Sequence, residues 1–434
     1  MSGERGTGVR RTGLWRNRDF LRLWAAQSVS SFGQQITELA IPLTAALLLH
    51  ASPVQMGLLG YAQYVPYLLI GLFAGVWVDR LKRRPLLVTA DLARAALLLA
   101  IPVTALLGQL RLVEIFLVVL AVGMLTVVFD VAYNAFVPVL VERAELLDAN
   151  AKLGFSSSTA QVAGPALGGI LVQVFAAPFA IAANAVTFGV SALFVRGIRA
   201  SGQPAARRGR SRSVWTDIHE GLRAVWTNRT QRVLMLCGFV SNFALDINLA
   251  VSMLFLVREL ALPPAIVGVV YGCYSAGAVA GSLLAGRLSR RLGIGPALLV
   301  GQSLSGVGAL GMSLASGSRF AAAAELGAAL LLWGVGTLVW LVNSMSLRQE
   351  ITPAHLLGRV MATVRFVSWG LAPFGFLVGG VVGQLTGLRS ALVMAGAIIL
   401  LSAVWLALSP VARLRRAEEA SAPQVSGTAS AEAG

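Results

Sequence analysis

Residues 113–136 read VEIFLVVLAVGMLTVVFDVAYNAF, and between Glu114 and Asp130 no charged side chain interrupts them. At 1.5 Å per residue a helix of this length reaches about 36 Å, enough to cross a hydrocarbon core of about 30 Å. Inside lipid every backbone amide needs a partner within the protein, which only a helix or a closed barrel supplies. A barrel would show alternating segments of about ten residues. The run therefore predicts a membrane helix.

Eleven further blocks of the same kind flank it. The spans lie near residues 20–49, 54–78, 86–107, 113–136, 152–176, 179–198, 232–257, 264–286, 296–316, 320–346, 360–386 and 389–409. The 434-residue chain is 56% hydrophobic and 12% charged, whereas soluble domains carry about 25% charged residues. The reading is an all-α membrane protein of twelve transmembrane helices in two pseudo-symmetric six-helix bundles, 20–198 and 232–409. A segment 1–19 precedes them, a linker 199–231 joins them, and a polar tail 410–434 is expected to be disordered.

A formal net charge of +16 raises the question of nucleic acid, but the distribution answers it. Of the 35 Lys and Arg residues only Arg111, Arg258, Arg319 and Arg389 fall in the loops of one side, and Arg94 falls inside a span. All the others lie at the termini, in the alternate loops or in the span ends that adjoin them. This is the positive-inside pattern of a multi-pass plasma-membrane protein with both termini cytoplasmic. The basic excess sets topology and meets anionic lipid head groups. The basic stretch Met1 to Arg18 leads into an apolar run too long for a cleavable signal. Cys237 and Cys273 both lie in spans, so no disulfide framework is implied. Within the linker Val214, Ile218, Leu222 and Trp226 step by four, which predicts an amphipathic helix on the membrane surface.

The two halves repeat weakly. An offset near 208 sets Glu38 on Asp246, Pro165 on Pro373, and the basic loop at 79–84 near that at 286–291. Repeated halves are common in transporters, with the substrate bound between them near the midplane.

Two motifs carry a mechanism. The first is Gly75-Val-Trp-Val-Asp79-Arg80-Leu-Lys82-Arg83-Arg84. Gly75 permits close helix contact, Asp79 can face the positive end of another helix, and the cations hold the loop at anionic lipid. The second is Gly164-Pro165-Ala-Leu-Gly168-Gly169, which permits a bend and close packing. Pro373, Gly375, Gly379 and Gly380 repeat the theme in span eleven.

The first motif resembles the G-x-x-x-D-[RK]-x-G-[RK]-[RK] signature of the major facilitator superfamily, with Lys82 where the pattern has glycine. The second is similar to the antiporter motif of that family's exporters, with Ala151 and Ala160 at earlier glycine positions. With Asn17-Arg18-Asp19-Phe20 and Asp91-Leu92-Ala93-Arg94, the chain resembles the drug/proton-antiporter branch that includes macrolide and enterobactin exporters. The resemblance implies that Gly75, Asp79, Arg80, Arg83 and Arg84 form a conformational switch docking on span eleven. It also implies that Gly164, Pro165, Gly168 and Gly169, with Pro373, form a hinge.

Acidic residues within spans cost about 2.5–3.5 kcal/mol each at the helix centre, so each needs a reason. Gln27, Ser31, Gln34 and Glu38 form one polar stripe in span one. Thr126, Asp130 and Asn134 share a face in span four, and Asn242 and Asp246 are a turn apart in span seven. Glu38, Asp130 and Asp246 are the expected proton-coupling residues, since a carboxyl group lining a wet cavity can take up and release a proton there. Asp91 has Arg94 one turn away as a natural partner, and Glu325 lies near the outer end of its span, so both read as structural. Gln34, Tyr64, Asn134, Asn242, Tyr271, Trp340 and Trp369 are the expected walls of a substrate cavity.

His50, His219 and His355 fall in loops, which argues against a histidine relay. Gly306-Val-Gly308-Ala-Leu-Gly311 fits a nucleotide fingerprint but sits in a membrane helix, and there is no Walker A sequence. No nucleophile–base set or metal-binding motif appears, so neither an enzyme nor a bound cofactor or metal is expected. The sequence thus points to a monomeric, proton-coupled exporter of an amphiphilic small molecule such as a drug, macrolide or siderophore. An importer or uniporter of the same fold is the first alternative, and a non-transporting scaffold or sensor the second.

Overall fold

The computed structural model describes residues 14–199 and 222–415, apart from the side chains of residues 71–76, 79, 80, 355 and 369. Within these residues every regular element is helical. The first half comprises α1 (Arg18–Leu43), α2 (Pro53–Arg80), α3 (Arg83–Leu106), α4 (Leu112–Leu140), α5 (Leu146–Phe175) and α6 (Ala177–Arg196). The second comprises α7 (Arg229–Leu254), α8 (Pro264–Leu292), α9 (Ile294–Met312) and α10 (Arg319–Ile351). It continues with α11a (Ala354–Arg365), α11b (Phe374–Thr386) and α12 (Leu388–Leu408). Among the described residues nine helical stretches are long and apolar enough to cross a membrane by themselves.

Span eleven is the departure from expectation. After α11a the chain forms a π-turn at Phe366–Gly370, and Pro373 then caps α11b. Proline has no N–H to continue the ladder, so the helix restarts there.

The repeat is much stronger in space than in sequence, and its offset is 211, not 208. Asn17 caps α1 through Oδ1, which accepts from the backbone N–H groups of Asp19 and Phe20, and Asn228 caps α7 by accepting from Gln231. Both α1 and α7 run into five-residue π-turns, Thr44–Leu48 and Phe255–Glu259. His50 and Ala261 then take left-handed φ values of 49° and 50° before Pro53 and Pro264 open the next helices. Ala176 and Gly387 likewise share a positive φ between the last two helices of each half.

The packing repeats too. In the first half α1 packs on α5 and α6, α3 on α4 and α6, and α5 on α6. In the second, α7 packs on α11b and α12, α9 on α10 and α12, and α11b on α12. Gly123 faces the Gln63 carbonyl between α4 and α2, as Gly334 faces that of Tyr274 between α10 and α8. The offset of 208 was suggested by chemically similar residues. A slip of three is almost one helical turn and leaves the same face inward, so side-chain type alone does not detect it.

The corrected register explains why Lys82 stands in place of the motif glycine. Its counterpart Gly293 has φ +95°, where only glycine is comfortable, whereas Lys82 has φ −69°. The first-half loop turns without the left-handed residue.

By contact clustering, residues 51–61 group with the second compact unit and residues 62–208 with the first. In that second unit Phe376 lies against Gly57 and Gly60, and Gly380 against Pro53 and Val54. The stripe expected over 214–226 falls partly outside the described residues. Of its members, Leu222 and Trp226 are exposed on a short helix at residues 222–227, while Val225 packs on Met235, Val360 and Val364. Residues 410–415, expected to be disordered, are ordered: Pro410–Arg413 forms a 3-10 turn, and the Leu414 and Arg415 carbonyls accept from the first amides of α9; the rest of the expected tail lies outside the described residues.

Candidate functional site

Polar side chains tie helices together at equivalent places in the two halves. Asp91 on α3 accepts from Ser191 on α6 at 2.7 Å and pairs with Arg94. Arg94 also reaches Thr126 on α4 and lies between the rings of Phe129 and Phe188. At the equivalent places in the second half Gln302 donates to Ser402 at 2.5 Å, and Ser305 meets Thr337 at 3.4 Å. One half ties three helices together with an ion pair, the other with neutral groups. Glu114 and Glu325 also correspond; one accepts from Thr104 and the other from the Ser316 backbone amide. These acids hold helix ends.

Removing one partner of the buried Asp91–Arg94 pair leaves an uncompensated charge, which costs about 3–5 kcal/mol. Arg94→Ala or Asp91→Ala is therefore expected to lower the thermal midpoint and the yield. Asp91→Gln with Arg94→Met retains the bond to Ser191 and fills the space between the phenyl rings, so it should restore most of both. A double variant as unstable as the single ones would contradict a purely structural pair.

Like Asp91, the three acids expected to couple protons have no acidic counterpart across the repeat. Glu38 corresponds to Leu249, Asp130 to Leu341 and Asp246 to Gln35. Glu38, half-buried on α1, accepts from Gln34 Nε2 at 3.1 Å and Gln35 Nε2 at 2.8 Å. Both partners are neutral amides. Asp130 accepts from the Tyr67 hydroxyl at 2.8 Å, tying α4 to α2, and Asn134 is exposed and donates to the Asp130 backbone carbonyl. Tyr64 lies one turn before Tyr67 on α2 and is half-buried.

In the second half Asp246 is half-buried on α7 against Gly375, in the first turn of α11b just past the break at Pro373. Among the described residues its carboxylate makes no hydrogen bond or ion pair. Asn242, one turn earlier, donates to the Gly238 carbonyl. Tyr271 shares a 2.8 Å hydrogen bond with Ser252. Trp340 is 8% exposed and packs with Leu234, Leu298 and Leu347, its Nε1 buried without a partner. The side chain of Trp369 lies outside the described residues.

The residues expected to form a hinge lie at the contact between α1 and α5. A Cβ on Gly164 would overlap the side chain of Gln35, and one on Gly168 would come within 3.2 Å of Ile36 Cα. Pro165 and Gly169 are buried on the same helix. Gly375 and Gly379 repeat this contact against Asp246 and Ile247. Pro373 instead caps α11b, two residues before Gly375. In the loop motif Gly75, Asp79 and Arg80 end α2, and their side chains lie outside the described residues. Arg84 donates to the carbonyl of Arg196, the last residue of α6, and Arg83 Nε is buried without a partner. Gln35 lies beside the stripe that runs through Gln34, so spacing alone does not nominate it. Only the packing shows both amides reaching Glu38. Among the described residues no three His, Cys, Asp or Glu side chains gather into a metal site.

A model described as Major Facilitator Superfamily matches residues 23–374 and again 235–431, two starts separated by nearly the structural repeat. The chain is 26% identical over 395 residues to an uncharacterized MFS-type transporter, YfiS, of Bacillus subtilis, covering 89% of this chain and 92% of that one. It is also 26% identical over 424 residues to the multidrug efflux pump Tap of Mycolicibacterium fortuitum, covering 93% and 98%. The nucleoside transporter NupG superposes with a TM-score of 0.73 at 12% identity, covering 90% of this chain and 98% of that one. A bacterial homologue of the iron transporter ferroportin, inward-facing, gives 0.73 at 18% identity with the same coverage. At these identities the structural matches establish the fold alone.

Proposed function

Since the chain belongs to the major facilitator superfamily of membrane transporters, we propose that it exports an amphiphilic small molecule in exchange for protons, by alternating access. The observation that carries this reading is the pair Glu38 and Asp246. Both are carboxyl groups at mid-helix, neither has a counterpart acid across the repeat, and neither has a cationic partner among the described residues. A permanently ionised acid in that setting is costly, so a group that cycles between protonated and free fits the position. Asp130, tied to Tyr67, is the third coupling candidate. Gln34, Tyr64, Asn134, Asn242 and Tyr271 are the polar and aromatic groups that would meet substrate.

The direction is supported by the Gly-Pro segment against α1 and by similarity to Tap along nearly the full length of both chains. Gly75, Asp79, Arg80, Arg83 and Arg84 would then control opening of the end that carries the basic loops. That end is cytoplasmic by the charge distribution, in the plasma membrane, with Leu222 and Trp226 resting on the lipid surface.

The experiment uses everted membrane vesicles energised to an acidic lumen. Addition of a transported compound should collapse the pH gradient, and the compound should accumulate inside. Accumulation driven by the opposite gradient would make the protein an importer, and accumulation indifferent to pH would remove proton coupling. A panel of cationic and neutral amphiphiles, screened first by growth of an efflux-deficient strain, supplies the compounds.

A further inference from the structure

The repeat exposes another asymmetry, far along the helices from the three acids. In the first half Phe20 on α1, Val137 on α4 and Val141, the C-cap of α4, belong to one apolar cluster and are 0%, 5% and 8% exposed. Their counterparts are Gln231 on α7, Arg348 on α10 and Thr352, the C-cap of α10, at 2%, 6% and 9%. Three buried apolar residues in one half are three buried polar residues in the other. The fold therefore does not require the polar set.

Within the trio the neutral side chains bond to one another, and Gln231 Oε1 is left buried without a partner. Gln231 Nε2 donates to Thr352 Oγ1 at 2.6 Å, and Thr352 Oγ1 donates to the Arg348 backbone carbonyl at 2.5 Å. Neither reaches the guanidinium. Among the described residues the Arg348 side chain makes no ion pair or hydrogen bond, and its Nε is buried without a partner. Glu350 is exposed and two residues on, which is the far side of a helix. Glu259 is paired with Arg389, and Glu325 accepts from Ser316. A guanidinium keeps its charge and offers five donors in a planar fork, so burying one uncompensated is unfavourable unless something arrives to pair with it.

We propose that Arg348, framed by Gln231 and Thr352, is a binding site for a phosphate group. The fork matches two phosphate oxygens at once. Leu347 and Ile351, its neighbours on α10, pack in the cluster that holds Ile294 and Val411. Arg290 and Arg291 before α9, and Arg413 in the turn after α12, lie at the same end of this half. That concentration of positive charge favours a multiply charged oxyanion. The phosphate belongs either to an anionic phospholipid head group or to a soluble phosphorylated compound.

The test compares the thermal midpoint of the full chain in phosphatidylcholine nanodiscs in three conditions: alone, with inorganic phosphate at constant ionic strength, and with phosphatidylglycerol added to the disc. Bound anion stabilises the folded state, so the midpoint should rise by about 4 °C or more in one arm. A response to inorganic phosphate assigns a soluble ligand, and a response to phosphatidylglycerol alone assigns a lipid. Arg348→Met should lose the rise and melt no lower than the parent without anion, while Arg287→Met, at an exposed arginine, keeps the rise. The triple variant Gln231→Phe, Arg348→Val, Thr352→Val copies the first half and covers the case in which Arg348→Met folds poorly. An unchanged rise in the Arg348 variants, no rise in either arm, or a lower midpoint for both variants without anion overturns the proposal.

Discussion

Gly334→Val is expected to abolish accumulation of folded protein, and Gly334→Ala to reduce it severely. A Cβ at this position of α10 would overlap the carbonyl oxygen of Tyr274 and stand 2.8 Å from the amide nitrogen of Ala278, both backbone atoms of α8. Backbone cannot rotate aside as a side chain can, so the two helices must part. Gly277 makes the reciprocal contact: a Cβ there would overlap the Leu331 carbonyl and lie 2.8 Å from its carbon. Helices in lipid associate through close packing of small residues and not through hydrophobic burial, so a gap here removes most of what joins α8 to α10. Overpacking of a tight core costs about 1–3 kcal/mol and occasionally more, and a clash with backbone on both helices belongs at the upper end. The repeat supplies an internal control. At the equivalent Gly123 a Cβ would meet Pro66 Cγ at 2.9 Å and the Gln63 carbonyl at 3.1 Å, so Gly123→Ala should be much milder. Monodisperse yield on size-exclusion chromatography measures the difference. Equal yields for the two alanine variants would mean that α8 and α10 are not held as closely as described.

Much of this architecture was legible in the chain because lipid imposes so strict a rule. Each expected span has a helix, since a run of apolar residues of that length has no other way to satisfy its backbone. The ends were legible where a cap or proline marks them, as at Asn17, Pro53, Asn228 and Pro264. What the sequence hid was register. Glu38 and Asp246 look equivalent, yet Asp246 stands where the first half has Gln35, a turn away. Pairing across helices was legible only where the partners share a helix, as with Asp91 and Arg94. The bond that Ser191 donates to Asp91 and the one that Arg94 donates to Thr126 join residues far apart in sequence. The place of Trp340 was not legible either, because an aromatic residue on a membrane helix suits a core and a cavity wall equally well. The polar trio at Arg348 was invisible, because each member is unremarkable until its apolar twin in the other half is known.

Glu38→Gln and Asp246→Asn are each expected to eliminate proton-driven accumulation while leaving a folded, substrate-binding protein. The amide reproduces the shape and neutrality of the protonated acid, so each variant is fixed in one protonation state. A ligand shifts a conformational equilibrium only through a difference in affinity between states, and a residue that cannot exchange its proton contributes none. Uphill transport in energised vesicles should therefore fall to background. Substrate-for-substrate exchange across de-energised vesicles, which needs no proton, should persist. Stability gives an independent check on the alternative, in which these acids are structural. Neutralising a half-buried carboxylate whose partners are amides, or which has none, relieves the cost of holding a charge there, so thermal midpoints should stay level or rise. Loss of a structural carboxylate would lower them instead. Gln35→Leu adds a graded case: it removes the 2.8 Å bond to Glu38 and should alter the pH dependence of accumulation without abolishing it. Accumulation at the parent rate in both Glu38→Gln and Asp246→Asn would take coupling away from these residues and leave Asp130, against Tyr67, as the acid to test.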